Sequence, residues 1–149
     1  MRSSGRQKAA PLSLDVRHKE KMGVDSILNA VKGAVITLAS SYVVAVLFAY
    51  LFRLPIPMGG MIGPFGAYSS YGGSPIEILQ MVFMAWVFYG IFGGLIILVV
   101  CGATTGIIVG NKYSGTKYNK NKMIALWSMI ISVIPVFFLS ILDFIIGPW

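Results

Sequence analysis

The sequence is poor in the residues that usually carry catalysis or bind metal ions. It has one cysteine, one histidine and five acidic residues among 149. Cys101 alone cannot form an intrachain disulfide, and His18 alone cannot ligate a haem iron from both sides. Asp25, Glu77 and Asp143 are too dispersed to form a pair for general acid–base catalysis. We therefore expect no enzymatic activity, no cofactor and no metal site.

Charge is also missing from three long stretches, which are residues 33–52, 78–110 and 123–142. A bilayer core about 30 Å thick needs roughly 20 apolar residues of helix. The first and third stretches, of 20 residues each, fit one crossing, and the second, of 33 residues, exceeds one. A composition of 56% apolar and 11% charged residues suits a lipid-facing chain.

The sequence thus predicts an all-α integral membrane protein with three transmembrane helices and no strands. The expected spans are approximately residues 33–53, 78–106 and 123–146, within a membrane domain of residues 25–149. Asp25 or Ser26 is expected to cap the first helix, because short polar side chains accept from free N–H groups there.

Basic residues are distributed unevenly along the chain. The tail, residues 1–24, has six Lys and Arg against two acids, the connection 111–122 has four Lys and no acid, and the connection 54–76 has no charge. Basic segments stay in the cytoplasm during insertion. We expect the N-terminus and 111–122 inside, and 54–76 and the C-terminus on the opposite side. Nucleic acid is a weaker alternative partner for the tail, which lacks a binding motif and interleaved aromatic residues.

Small residues recur at intervals of four in the first two predicted spans. They are Gly33, Thr37, Ser41, Ala45 and Ala49 in the first, and Gly90, Gly94, Gly102, Gly106 and Gly110 in the second, where Leu98 interrupts the series. Such stripes let helix backbones approach closely in lipid, so we predict packing against this chain, a second copy or another subunit. Alternatively, the glycines, with Thr104 and Thr105, mark a break that lines an ion path.

Pro135 lies in the middle of the third predicted span. It cannot donate to the carbonyl of Ile131, so a kink is expected. Ser128 and Ser132 precede it on one face and can re-bond freed backbone groups. A gating hinge is the alternative interpretation.

Arg53 and Asp143 are expected at the same height, near the outer membrane interface. We predict an interfacial ion pair between them that fixes helix order, with Glu77 as a competing partner. The alternative is that Asp143 is a transport carboxylate, since ionisable groups at membrane depth are usually functional.

The outer connection, residues 54–76, has six glycines, four prolines and no charge. Its apolar residues Met58, Met61, Phe65, Tyr68 and Tyr71 form a predicted partner-docking loop. Alternatively, the loop rests among lipid headgroups or re-enters the membrane as a pore loop.

Together these features predict a non-catalytic small membrane subunit that scaffolds or stabilises a larger complex. Its expected partners are the lipid bilayer and other integral membrane subunits, or copies of itself. The alternative is a homo-oligomeric channel or transporter that uses the glycine-rich second span and the outer loop. A membrane enzyme is a third possibility only if a partner supplies the catalytic groups. The expected location is the cell membrane, with an organellar membrane as the alternative.

Overall fold

The computed structural model describes residues 12–57, 60–65 and 74–146, with side chains for 23–57, 60–65 and 74–141. Its elements are the helices α1 (Leu12–Leu51), α2 (Pro75–Tyr89), α3 (Leu95–Lys112) and α4 (Lys120–Ile146), and the strands β1 (Leu54–Ile56) and β2 (Gly60–Ile62). A π-helical segment, Gly90–Gly94, joins α2 to α3 and is called the break below.

Three helical segments are long and apolar enough to cross a membrane. They are Gly23–Leu51, Pro75–Lys112 and Lys120–Ile141. This confirms the expectation of three membrane-length helices and indicates a multi-pass membrane protein, while the orientation of the chain stays a prediction. The second segment is the longest of the three, with 38 residues, as its uncharged run predicted.

The first helix begins earlier than expected. α1 starts at Leu12, so Asp25 and Ser26 lie inside it and the predicted N-cap is wrong. Residues 12–32 contain no proline and one glycine, Gly23, so nothing in this segment stops a helix from continuing into the polar tail.

The expectation of no strands is also wrong. β1 and β2 pair antiparallel, with Leu54 opposite Ile62. Both side chains are buried and pack on the end of the helix bundle. Gly63 has φ +118°, and a Cβ there would lie 2.6 Å from the Phe52 carbonyl oxygen. The glycines of this loop therefore allow it to fold back onto α1.

The bundle consists of α1, α3 and α4 packed against one another, while α2 lies against α1 and β1. Small polar side chains fill its centre. The fully buried ones are Thr37, Ser41, Ser128, Ser132 and Ser140. Short side chains at these positions let the helix axes approach closely.

α1 and α3 meet backbone to backbone, in what we call the glycine seam. A Cβ on Gly33 would overlap the Gly102 carbonyl oxygen and lie 2.9 Å from Gly106 Cα. A Cβ on Gly106 would overlap the carbonyl oxygen of Asn29, and one on Gly102 would lie 2.7 Å from Thr37 Oγ1. Gly33 and Thr37 of the first stripe thus pack against Gly102 and Gly106 of the second within one chain.

α4 runs unbroken across Pro135. The Ser132 hydroxyl donates to the carbonyl of Met129 at 2.7 Å, which is not the Ile131 carbonyl that the proline leaves without its usual donor. The Ser128 hydroxyl has no hydrogen bond among the described residues. Its carbonyl accepts from Thr37 Oγ1 at 3.5 Å. The kink stays a prediction.

We expect Gly33→Ala to lower the free energy of unfolding by about 1–3 kcal/mol, because the added methyl group meets rigid backbone atoms of α3. Gly23→Ala is the matched control on the same helix, since nothing lies within 4 Å of its Cβ. It should be neutral or stabilise by about 0.5–1 kcal/mol through helix propensity. Unfolding in mixed micelles measures both. Equal effects of the two substitutions would contradict the glycine seam.

Candidate functional site

Arg53 lies just after α1 and is 5% exposed. Its Nε donates to the carbonyl of Ser140 in α4 at 3.0 Å, which ties the end of α1 to the last helix. Asp143 follows Ser140 by three residues in the same helix, and its side chain lies outside the described residues. The Arg53–Asp143 pair therefore stays a prediction. Glu77 accepts from the Ser74 N–H at 3.0 Å, as part of a capping box that begins α2.

The residues of the predicted docking loop differ in how exposed they are in the structure. Met61 is 6% exposed and belongs to the hairpin that covers the bundle, so its side chain is buried within the chain and not available to a partner. Phe65 is 67% exposed, and its ring lies 5.8 Å from that of Phe52. Met58, Tyr68 and Tyr71 lie outside the described residues. Phe65 is thus the described residue of this set that a partner can reach.

The second stripe has two parts with different roles. A Cβ on Gly90 would lie 2.8 Å from the Leu95 side chain, and one on Gly94 would lie 2.7 Å from the Tyr89 carbonyl oxygen. Both contacts are local to the break. Gly102 and Gly106 instead face α1 in the glycine seam, and Gly110 packs against the Asn29 side chain.

The break lies at the start of the glycine series rather than at its threonines. Phe92 and Gly93 leave helical geometry there, and Gly93 has φ +104°. The Gly90 N–H donates to the carbonyls of Trp86 and Val87, and its own carbonyl accepts from the Leu95 N–H. Both backbone polar groups of Gly90 are therefore paired within the chain.

Thr104 and Thr105 lie inside the regular helix α3. Their hydroxyls donate at 2.7 Å to the carbonyls of Val100 and Cys101, one turn earlier. Neither threonine contributes to the break.

Three side-chain hydrogen bonds hold α2 on α1. The hydroxyls of Tyr42 and Tyr50 donate to the carbonyls of Leu79 and Pro75, at 3.3 and 3.4 Å. Trp86 Nε1 donates to Ser41 Oγ at 2.9 Å. The sequence analysis missed these anchors, because an aromatic residue in an apolar run gives no sign of the backbone group that its polar tip will meet.

An aromatic ridge made of Tyr42, Phe83 and Trp86 stands on the outer face of α1 and α2. Its ring centroids are 6.1 to 6.5 Å apart. A shallow groove runs along each side. The first, of about 470 Å³, is lined by Tyr42, Ile76, Leu79, Gln80, Phe83 and Met84 and is called the Gln80 groove. The second, of about 520 Å³, is lined by Val35, Leu38, Ala39, Tyr42, Phe83 and Trp86.

Gln80 is the one side-chain amide in the uncharged run 78–110. It is exposed, and its amide makes no hydrogen bond among the described residues. Tyr42, which is bonded to the neighbouring Leu79, lies at the centre of the uncharged stretch of α1. Gln80 therefore lies beside the apolar part of the first span. A search for charged residues overlooks it, whereas a search for amides within apolar runs would have found it.

No protein-family model, curated protein or solved structure matches the chain. Among the described residues, no three His, Cys, Asp or Glu side chains come together as a possible metal site. The exposed groups that the geometry does bring together are aromatic rings, apolar grooves and one amide. Such a surface can recognise another helix by packing and by hydrogen bonding.

Tyr42→Phe should lower the free energy of unfolding by about 0.5–1 kcal/mol, since it removes a donor from the Leu79 carbonyl and keeps the ring. Tyr118→Phe is the control, because Tyr118 is 68% exposed and its hydroxyl has no hydrogen bond among the described residues. The same mixed-micelle titration measures both. A control variant as destabilised as Tyr42→Phe would rule out this role.

Proposed function

We propose that the protein is a non-catalytic membrane subunit that binds a transmembrane helix of an unlike partner along the Gln80 groove and the aromatic ridge. In this way it scaffolds or stabilises a larger membrane complex. The observation that carries the proposal is the exposed Gln80 amide in an apolar groove, because amides in lipid are commonly satisfied by hydrogen bonds across a helix interface.

The shape of the same face supports the proposal. Helices pack by placing the side-chain ridges of one helix into the grooves of the other. A ridge between two grooves therefore suits the side of an approaching helix. Tyr42 and Trp86 are fixed by their own hydrogen bonds, so little side-chain freedom is lost on binding. The glycine seam, in contrast, is already occupied within the chain.

A homo-oligomeric channel or transporter is the second candidate. The break supports it, since interrupted helices are a common feature of transporters. We rank it second because the N–H and the carbonyl of Gly90 are already paired within the chain and are not available to an ion.

For the orientation, we propose that the end of the bundle that holds Lys32 and residues 111–122 faces the cytoplasm of a cell membrane. Lys32 Nζ donates to Asn121 Oδ1 at 3.2 Å, so lysines of α1, the connection and α4 gather at one end. The hairpin, which belongs to the charge-free connection 54–76, covers the opposite end. Short basic segments favour the cytoplasmic side.

Purification of the tagged chain from its native membrane in mild detergent, with native mass spectrometry, tests the function. We expect an unlike membrane protein to accompany the chain, and Gln80→Leu to reduce its recovery by about 3- to 10-fold, the range of one interhelical hydrogen bond. Thr104→Val is the matched control, because it removes an exposed polar group from a different helix.

Two results would contradict the proposed function. Equal recovery of the partner with Gln80→Leu and Thr104→Val would show that Gln80 does not contribute to partner binding. A homogeneous oligomer of this chain alone would favour the channel, which flux measurements in liposomes would then test.

Cysteine labelling tests the orientation in a Cys101→Ala background. A membrane-impermeant maleimide added to intact cells should label Phe65→Cys at the hairpin end. It should reach Ser114→Cys only after permeabilisation, since residue 114 lies in the basic connection. The reverse pattern would overturn the proposed orientation.

A further inference from the structure

A cavity of about 580 Å³ lies beside the break, on the side of α2 that faces α4. Its deep wall is formed by Ala45, Ala85, Leu98 and Val136 from four different helices. These side chains are 1% to 7% exposed, so the cavity reaches into the core of the bundle. It shares no lining residue with the Gln80 groove and only Trp86 with the second groove.

Three residues that line the cavity have little or no side chain. Gly90 and Gly94 at the break have no side chain, and Pro135 presents a compact ring from α4. The break also interrupts the helix where α2 passes into α3. At these positions the wall therefore consists of backbone and a rigid ring.

The rim of the cavity is exposed and apolar. Phe92, Ile97 and Phe138 line it and are 75%, 55% and 59% exposed. These side chains lie on segments with the length and hydropathy of membrane spans. The molecules that meet such a rim in a bilayer are lipid acyl chains.

The polar groups in the wall are mostly satisfied already. Trp86 Nε1 donates to Ser41 Oγ, and the Ser41 hydroxyl donates to the Leu38 carbonyl at 2.7 Å. The Gly90 N–H is bonded within its own helix. The Tyr89 hydroxyl is left as the single side-chain donor for an occupant, so the wall suits hydrocarbon and not an ion.

The volume of the cavity, about 580 Å³, suits a small or thin occupant. That volume lies within the range of roughly 300–1,000 Å³ that small-molecule sites have, and a single hydrocarbon chain is thin enough to enter it.

From this geometry we infer that the cavity between α2, the break and α4 binds one acyl chain of a membrane phospholipid. The chain enters past Phe92 and Phe138 and lies against Ala85, Leu98 and Val136. The lining of the cavity includes no residue of the Gln80 groove, and Trp86 is the one residue that it shares with the aromatic ridge. This site stands whether or not the proposed function holds.

Photolabelling with a phosphatidylcholine that carries a diazirine in its acyl chain tests the inference, in native membranes and in proteoliposomes. We expect label on Ala85, Leu98 and Val136, located by peptide mass spectrometry, although these residues are buried. Val82, Val109 and Ile124 are the controls, because they are equally buried, at 0% to 7% exposed, and do not line the cavity. They should stay unlabelled.

Cavity-filling substitutions give the second readout. Ala85→Leu should reduce the label on Leu98 and Val136 several-fold, whereas Ala103→Leu, outside the cavity, should leave it unchanged. If Ala85→Leu does not fold, Leu139→Phe at the less buried mouth replaces it and should give the same loss.

Three outcomes would overturn the inference. The first is an absence of label on the deep wall in both membranes, and the second is equal label on the wall and on the buried controls. The third is wall labelling in proteoliposomes that is absent from native membranes, since a protein segment would then fill the cavity in the cell.

Discussion

The contact between the backbones of α1 and α3 determines how the other helices are arranged. At Gly33, Gly102 and Gly106 the helices touch without intervening side chains. In lipid, close packing has to replace the hydrophobic effect as the force between helices. The seam sets the distance between the first and second spans, and α4 then packs along both. α2, beyond the break, is left to the side, where its outer face and inner cavity become accessible.

The number and character of the long helices could be predicted because hydrocarbon solubility needs a long apolar run, whatever the tertiary contacts. The intervals of four also indicated close packing, but spacing alone does not name the opposite surface. Gly94 and Gly102 belong to one series in the sequence. In the structure Gly94 contacts the Tyr89 carbonyl within the break, whereas Gly102 contacts α1. Distinguishing them requires the position of the break, which periodicity does not contain.

The hairpin and the Gln80 groove could not be predicted from the sequence, for different reasons. In the loop, glycine and proline make many turns possible, and burial of Leu54 and Ile62 against the bundle selects one of them. Gln80 was visible as a residue, but its exposure depends on the rotation of α2 about its axis. That rotation is fixed by the anchors from Tyr42, Tyr50 and Trp86, which are tertiary contacts.

The buried hydroxyls of the first span have a consequence for biosynthesis. Thr37 and Ser41 are fully buried in the finished bundle. Trp86 of α2 contacts Ser41, whereas α3 and α4, which cover the rest of the stripe, begin about 55 residues or more after it. While the ribosome is still translating the loop and α2, the small polar stripe of α1 therefore has no α3 or α4 to face. An insertase or membrane chaperone that shields a hydroxyl-bearing helix until the second half emerges would shorten the time in which α1 can pair with a wrong neighbour.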